Sequence, residues 1–266
     1  MIFTKEILVI LIAILLVCTI GFKKYVWFIS LGYGFSITTV GIMMLILFKE
    51  KNTALIISSI IFIVYGLRLG GFLAYRELKS TTYNKKMKHE ISDGSNMTIP
   101  LKLMLWITCA LLYLLMTSPV IYRFVNNDAI DTCFLIGMII TVLGIILESL
   151  SDYQKNKVKK KNPNKFCSEG LFKIVRCPNY LGELIIWFGV FISGFSTLQG
   201  IGQWIIAIIG FLGIVYIMFS GARRLELRQD RTYKDDKEYQ KYIKTTPIIL
   251  PLIPLYSVKK HKWLVG

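Results

Sequence analysis

The residues best suited to chemistry lie in the run 170–194, GLFKIVRCPNYLGELIIWFGVFISG. Counted from Arg176, the side chains of Asn179, Tyr180 and Glu183 follow three, four and seven residues later, which is the spacing of one helix face. Glu183 lies about one turn inside an apolar segment, so its carboxylate needs a partner. That partner is either an arginine in a structural ion pair or a hydroxyl or amide of a bound ligand. The pattern predicts a polar cluster at the start of a helix.

A second candidate lies in the apolar segment 54–75, where Tyr65 precedes Arg68 by three residues. This spacing places the phenol and the guanidinium on one helix face. A charged residue inside an apolar segment is costly and is a functional candidate for that reason. The alternative is that Arg68 extends toward the membrane surface and Tyr65 is an interfacial aromatic.

Two further groups contain carboxylates next to apolar segments. Glu148 and Asp152 are four residues apart at the end of one such segment. Glu226 lies among three arginines, one of which is Arg224, and Tyr239 follows in the same charged stretch. Each group is either part of a binding site or a solvated helix end, and the residues alone leave both interpretations open.

The elements that position these residues are long apolar segments. Of the 266 residues, 54% are hydrophobic, and the mean hydropathy is +0.56. A bilayer span needs roughly 20 mainly apolar residues. Seven segments meet or approach that length, and they predict an all-α polytopic membrane bundle of about seven transmembrane helices: 3–21, 27–48, 54–75, 100–121, 130–148, 180–196 and 203–222.

The distribution of charge predicts the orientation of these helices. The chain has 32 basic residues and a formal net charge of +16. Most of the basic residues lie in the connections 22–26, 76–99 and 149–179 and after residue 222, whereas the opposite set of connections holds few. The positive-inside rule therefore places the N-terminus outside and the C-terminus in the cytosol. We expect an integral membrane protein, most simply of a bacterial cytoplasmic membrane, with its site facing the cytosol.

Several classes of function receive no support from the sequence. GxGxxG, Walker A and HExxH motifs are absent, as are CxxC pairs, so we expect no metal site. The basic residues flank apolar segments and form no nucleic-acid module, so we expect no nucleic-acid partner. No repeat or linker is visible, which predicts a single integral membrane domain over 1–266. We expect the apolar stretch 247–254 to pack against the membrane face.

The block GLFKIVRCPNYLGE at 170–183 resembles the glycine–aromatic–Arg–x–Pro–Asn–Tyr–x–Gly–Glu block of the steroid 5-alpha-reductase-like membrane family. Isoprenylcysteine carboxyl methyltransferases are related through the same region. The resemblance extends over about 118–256, which we take as the cofactor-binding half, and more weakly over 60–76. Cys177 stands where the family commonly has a histidine.

The resemblance implies a seven-span bundle with NADPH bound from the cytosolic side. Tyr65 would face the carbonyl of the substrate, with Arg68 nearby. The animal reductases pair this tyrosine with a glutamate on the second helix, but residues 27–48 contain no acidic residue. Two alternatives follow: Tyr33 substitutes for that glutamate, or the substrate differs from that of the animal reductases. When this sequence is matched to the family residue by residue, the cofactor-binding residues would be Asp152, Arg176, Asn179, Tyr180, Glu183, Arg224, Glu226 and Tyr239.

The implied reaction is hydride transfer from NADPH to a conjugated C=C of a steroid-like or other lipid enone. The main alternative is an S-adenosylmethionine-dependent methyltransferase acting on a lipid or an isoprenylcysteine-type thiol. A non-enzymatic transporter or scaffold is the third possibility. We expect the partners to be a hydrophobic small-molecule or lipid substrate and membrane lipids, with no obligate protein partner.

Overall fold

The computed structural model describes residues 2–49, 52–79, 97–126 and 130–265, and this part of the chain is helical without a β-strand. Most of the connection predicted at 76–99, residues 80–96, lies outside the described ranges. The helices, in chain order, are α1 Lys5–Cys18, α2 Val26–Ile29, α3 Leu31–Leu47, α4 Thr53–Lys79, α5 Ile99–Val125, α6 Thr132–Lys161, α7 Pro178–Gly194, α8 Gly200–Thr232 and α9 Lys237–Thr245.

A helix lies at each of the seven predicted spans. Among the described residues, five helices are long and apolar enough to cross a membrane: α1 with its 3₁₀ extension to Phe22, α4, α5, α6 and α8. Helix α3 is a shorter apolar helix, and α7, like α3, has 17 residues. The all-α membrane bundle is therefore confirmed, and the chain is a multi-pass membrane protein. The orientation of the termini stays a prediction.

The ends of the helices follow local capping signals. Asn52 Oδ1 accepts a hydrogen bond from Leu55 N at 2.8 Å before α4, and Asp131 Oδ1 accepts one from Phe134 N at 2.7 Å before α6. Such side chains satisfy the free N–H groups of a first helical turn. Pro100 and Pro178 lie in the first turns of α5 and α7, where a missing N–H costs nothing.

Two compact units make up the chain. Unit 1 comprises Met1–Leu135 and Val190–Gly210, and unit 2 comprises Ile136–Gly189 and Phe211–Gly266. The long helices α6, α7 and α8 each contribute residues to both units. The prediction of a single domain over 1–266, with a cofactor-binding half at 118–256, stays a prediction.

In unit 1, α3 and α4 pack against each other through small residues. A Cβ added at Gly66 would lie 2.5 Å from the carbonyl oxygen of Gly34, so the two backbones are nearly in contact there. Helices that lack a hydrophobic driving force between them, as in a bilayer, associate through such close packing. This contact fixes the position of Tyr65, one residue before Gly66, relative to α3.

A buried ionic cluster in unit 1 joins α5 to the segments around α6 and α7. Helix α5 continues one turn past the predicted end of its span, and this turn carries Arg123, whose side chain is fully buried. Arg123 Nη2 donates to both oxygens of Asp131 at 3.0 Å and to Ser193 O at 2.8 Å. The predicted span ends at residue 121, before Arg123, whereas the fold buries Arg123 and pairs it with Asp131 inside the protein.

Unit 2 has a core built around the start of α7 and the residues that follow α9. A Cβ at Gly182 would lie 2.8 Å from Glu148 N, so α6 and α7 are in close contact at this point. The stretch 247–254 begins inside this core, because Ile248 and Ile249 are buried there. The core cluster comprises Cys177, Leu184, Ala222, Ile248, Ile249, Val258 and Leu264.

Candidate functional site

The backbone before α7 is held by residues that follow α9. Arg176 N donates to Pro247 O at 2.8 Å, and Cys177 N donates to Ile248 O at 2.9 Å. These bonds use the two N–H groups that precede the helix, and α7 then begins at Pro178. The polar block predicted from the sequence therefore lies at a helix start, as expected, on a backbone fixed from outside the helix.

Arg176 pairs with Glu226. Its Nη2 lies 3.0 Å from Glu226 Oε1, and both side chains are only 2% exposed. The same Nη2 donates to Tyr256 O at 2.5 Å, while the buried Nε has no hydrogen-bond partner among the described residues. The sequence predicts an arginine or a bound ligand as the partner of Glu183, and the carboxylate that the fold brings to Arg176 is Glu226.

Glu226 also organises the backbone of the last part of the chain. Its Oε2 accepts hydrogen bonds from Val258 N at 2.9 Å and from Lys259 N at 3.1 Å. Both carboxylate oxygens are thus engaged by protein groups. Charge-assisted hydrogen bonds of this kind are stronger than neutral ones, so Glu226 is a central support of this region.

Glu183 is nearly buried on the first part of α7. Trp187, one turn later and almost fully buried, donates from Nε1 to Glu183 Oε2 at 3.1 Å. Asn179 lies one turn before Glu183 and is half-buried. Trp187 is a member of this cluster that the sequence did not single out, although its position four residues after the carboxylate is the signal that could have identified it.

The remaining predicted cofactor residues of unit 2 are distributed over three helices. Tyr180 packs on α8, since a Cβ at Gly221 would lie 3.4 Å from its hydroxyl oxygen. Asp152 is half-buried on α6, one turn beyond the buried Glu148. Arg224 is exposed on α8. Unit 2 therefore contains all eight residues that the resemblance assigned to NADPH, with different degrees of exposure.

Tyr239 points into the protein. Its hydroxyl donates to Asp230 Oδ1 at 2.8 Å, and Lys259 Nζ lies 2.8 Å from Asp230 Oδ2. Phe166 packs on the Tyr239 ring at 5.3 Å between centroids. Burial, together with the hydrogen bond to Asp230 and its negative charge, raises the pKa of Tyr239 above its usual value. The phenol is consequently neutral and supports the structure from inside.

Cys177, at the position of the common histidine, belongs to the core. Burial raises the pKa of its thiol to about 12, so it is protonated at neutral pH. It cannot replace an imidazole as a proton carrier near neutral pH, and its role here is apolar packing. Within the described ranges of the chain, no group of three or more His, Cys, Asp or Glu side chains is arranged to hold a metal ion.

Unit 1 contains the two residues expected to act on a substrate. Tyr65 is 1% exposed, and its hydroxyl lies 2.8 Å from the hydroxyl of Tyr33 on α3. The Arg68 guanidinium lies 5.6 Å from the centre of the Tyr65 ring. Tyr113 stacks on Tyr33 at 5.2 Å and donates its own hydroxyl hydrogen bond to Phe28 O. The structure thus brings Tyr65, Arg68 and Tyr33 together, and their role toward a substrate stays a prediction.

Comparison with known proteins identifies a family and several curated relatives. The model of the DUF1295 family, described as a protein of unknown function, matches residues 18–246. Steroid 5-alpha-reductase DET2 of Arabidopsis thaliana is 30% identical over 122 residues, which are 45% of this chain and 42% of that protein. Rat 3-oxo-5-alpha-steroid 4-dehydrogenase 1 is 25% identical over 123 residues, covering 46% and 42% of the two chains. No solved structure matches the chain.

The chain is a membrane protein of the steroid 5-alpha-reductase-like class, as the block 170–183 indicated. It belongs to the DUF1295 family. The matched segment spans less than half the length of these curated relatives.

Proposed function

We propose that this protein is an NADPH-dependent reductase of a conjugated C=C in a steroid-like or other lipid enone. The observation that carries the proposal is Tyr65, a buried phenol with a second phenol at hydrogen-bond distance and a guanidinium over its ring. Reduction of an enone builds negative charge on the carbonyl oxygen, and a pre-positioned donor stabilises that charge. A buried tyrosine supported in this way is suited to that task.

The residues of unit 2 fit a polyanionic dinucleotide. The Nη2 of Arg176 bonds to Glu226 and Tyr256, but its buried Nε–H has no acceptor among the described residues. A buried donor of this kind needs an acceptor. Arg224 is exposed and can contact a phosphate, while Asn179 and Tyr180 lie at the start of α7, where the helix dipole favours anions. NADPH supplies the hydride when it is bound.

The other named residues of unit 2 differ in how they would contribute. Asp152 and Glu183 offer acceptors for amide or hydroxyl hydrogens of the cofactor. Glu226 and Tyr239 use their polar atoms on protein partners, so we assign them to holding Arg176 and Asp230 in place behind the binding residues. Their effect on cofactor affinity is thus indirect.

In unit 1, Tyr65 donates a hydrogen bond to the carbonyl oxygen as the enolate forms. Tyr33 donates to the oxygen of Tyr65, and a chain of two donors is stronger than one because each bond polarises the next. Arg68 favours the developing negative charge through its own positive charge. Tyr33 takes the place next to Tyr65 that the missing second-helix glutamate would occupy. The buried surroundings exclude water, which strengthens these interactions.

The purified protein in lipid nanodiscs provides the test. We expect NADPH absorbance to fall when a 3-oxo-4-ene steroid or another lipid enone is added, and we expect NADPH to raise the unfolding temperature. Stabilisation by S-adenosylmethionine but not by NADPH would instead support the methyltransferase. If neither ligand changes the unfolding temperature, the reductase proposal is wrong and a transporter or scaffold becomes the better hypothesis.

We also propose that the polar face of unit 2 is cytosolic, as the positive-inside rule predicts. A reporter fused after Gly266 should be active in the cytosol, and one inserted near Gly200 should be external. The opposite result at either position would overturn the seven-span orientation.

A further inference from the structure

The arm, defined as residues 247–265, is fixed to unit 2 by one set of its residues. Ile248, Val258 and Leu264 are buried in the core. Glu226 accepts hydrogen bonds from the arm backbone at Val258 and Lys259, and Arg223 Nη1 donates to Leu264 O at 3.2 Å. The arm therefore has a defined position on α8, although it contains no regular helix.

A second set of arm residues points outward and is apolar. Leu252 is 95% exposed, Trp263 65% and Val265 73%. Trp263 stacks on Tyr216 of α8 with ring centres 6.1 Å apart, and Tyr216 donates from its hydroxyl to Trp263 O at 3.0 Å. Large apolar side chains exposed on a segment of defined position indicate a surface that contacts another apolar phase or molecule.

The position of Tyr216 indicates that the apolar partner of this surface is lipid. Tyr216 lies in the predicted span 203–222, one turn after Leu212, and both residues are exposed on α8. The exposed apolar face of a spanning helix contacts lipid, and Trp263 stacks on that face at Tyr216. Tryptophan and tyrosine are enriched where the hydrocarbon region meets the headgroups. The stacked pair Tyr216–Trp263 thus marks the membrane interface.

Cationic side chains lie directly next to Trp263 in the arm. Lys260 and Lys262 are exposed, whereas Lys259 is paired with Asp230. The sequence 247–265 contains no acidic residue. Lysines at the level of the headgroups attract anionic lipid phosphates.

We propose that the arm is an interfacial anchor that binds anionic phospholipid headgroups through Lys260 and Lys262, with Trp263 at the membrane interface. The anchor has a consequence inside unit 2. The arm backbone at Val258 and Lys259 holds Glu226, and Glu226 holds Arg176. Bound anionic lipid therefore stabilises the Arg176–Glu226 pair, and this role does not depend on which reaction the protein catalyses.

The first experiment locates Trp263, one of five tryptophans. Fluorescence of the parent protein and of Trp263→Phe is measured in nanodiscs containing brominated phosphatidylcholine, and the difference reports Trp263 alone. We expect strong quenching of Trp263 by the brominated lipid and weak quenching by aqueous iodide. Efficient iodide quenching without lipid quenching would place the arm in water and overturn the proposal.

The second experiment tests the charge. The retention of phosphatidylglycerol and the unfolding temperature are compared between the parent, the double variant K260Q/K262Q and a control, K237Q/K241Q, which removes two exposed lysines of α9. We expect K260Q/K262Q to retain phosphatidylglycerol about three- to tenfold less well and to lose the stabilisation that this lipid gives over phosphatidylcholine. Equal losses in both variants would show a nonspecific charge effect and reject the anionic-lipid site.

Discussion

Removing the carboxylate of Glu226 should destabilise unit 2 more than most single substitutions. The carboxylate accepts from Arg176 Nη2 at 3.0 Å and from the backbone N–H groups of Val258 and Lys259. In Glu226→Ala these three donors lose the carboxylate, and the Arg176 side chain, which keeps its bond to Tyr256 O, stays at 2% exposure without its counter-charge. The substitution therefore leaves the buried charge of Arg176 without a counter-charge and removes two hydrogen bonds that hold the arm.

The magnitude follows from these contacts. Breaking a buried ion pair from one side costs about 3–5 kcal/mol, because the remaining charge is uncompensated. We expect about 4 kcal/mol for Glu226→Ala. The double variant R176M/E226L removes both charges and keeps the side-chain volume. Its loss in free energy of unfolding should be at least about 2 kcal/mol smaller than the sum of the losses in the two single variants R176M and E226L.

The assay is denaturant-induced unfolding of the protein in detergent micelles, followed by tryptophan fluorescence, with limited proteolysis of the arm as a second readout. Arg231→Ala, which removes an exposed arginine of the same helix, is the control and should change the free energy of unfolding by less than about 0.5 kcal/mol. We expect Glu226→Ala to make the arm susceptible to protease before the rest of the chain unfolds. A coupling energy within about 0.5 kcal/mol of zero in the double-mutant cycle would refute the reasoning.

Three further predictions concern other contacts. Tyr65→Phe should lower the turnover of a lipid enone by on the order of 10²–10³ and leave NADPH affinity nearly unchanged, and Tyr33→Phe should lower turnover by about tenfold. Single-turnover NADPH oxidation measures both rates. A Tyr65→Phe rate within threefold of the parent would exclude Tyr65 as the donor. Gly182→Ala should lower the free energy of unfolding by about 1–3 kcal/mol, because the added Cβ would lie 2.8 Å from atoms of Glu148 on α6. Gly71→Ala is the control: no atom lies within 4 Å of its added Cβ, so this variant should be as stable as the parent or more stable. Equal unfolding temperatures of the two variants would contradict this prediction. Because the folded state raises the pKa of Tyr239, its contribution to stability is complete below the unfolded value of about 10 and is lost as the pH rises above it. Unfolding measured between about pH 8 and 11 should therefore show a steeper loss in the parent than in Tyr239→Phe, and parallel curves would reject this role.

The cofactor-binding block shows how far local signals extend. The polar block at 170–183 and the start of α7 at Pro178 could be predicted because a helix start depends on a few adjacent residues. The resemblance and the absence of an acidic residue in 27–48 gave Tyr33 as one of two alternatives, and the structure places its hydroxyl next to that of Tyr65. The partner of Arg176 was not predictable, because Glu226 lies 50 residues away on another helix. Which of several carboxylates meets Arg176 depends on the rotation and packing of α7 and α8.

The sequence by itself determined the class of the protein and the positions of its helices. Long apolar segments must satisfy their backbone hydrogen bonds internally within a bilayer, so their lengths predict helices directly. Only the tertiary structure decided which polar groups are buried and paired inside the protein. Arg123 lies beyond the predicted end of its span, yet it is fully buried and paired with Asp131. The stretch 247–254, predicted to pack against the membrane face, begins in the core at Ile248 before Leu252 becomes exposed. The physical reason is that burial and pairing depend on contacts between segments distant in the chain, about which residue type and local spacing contain no information.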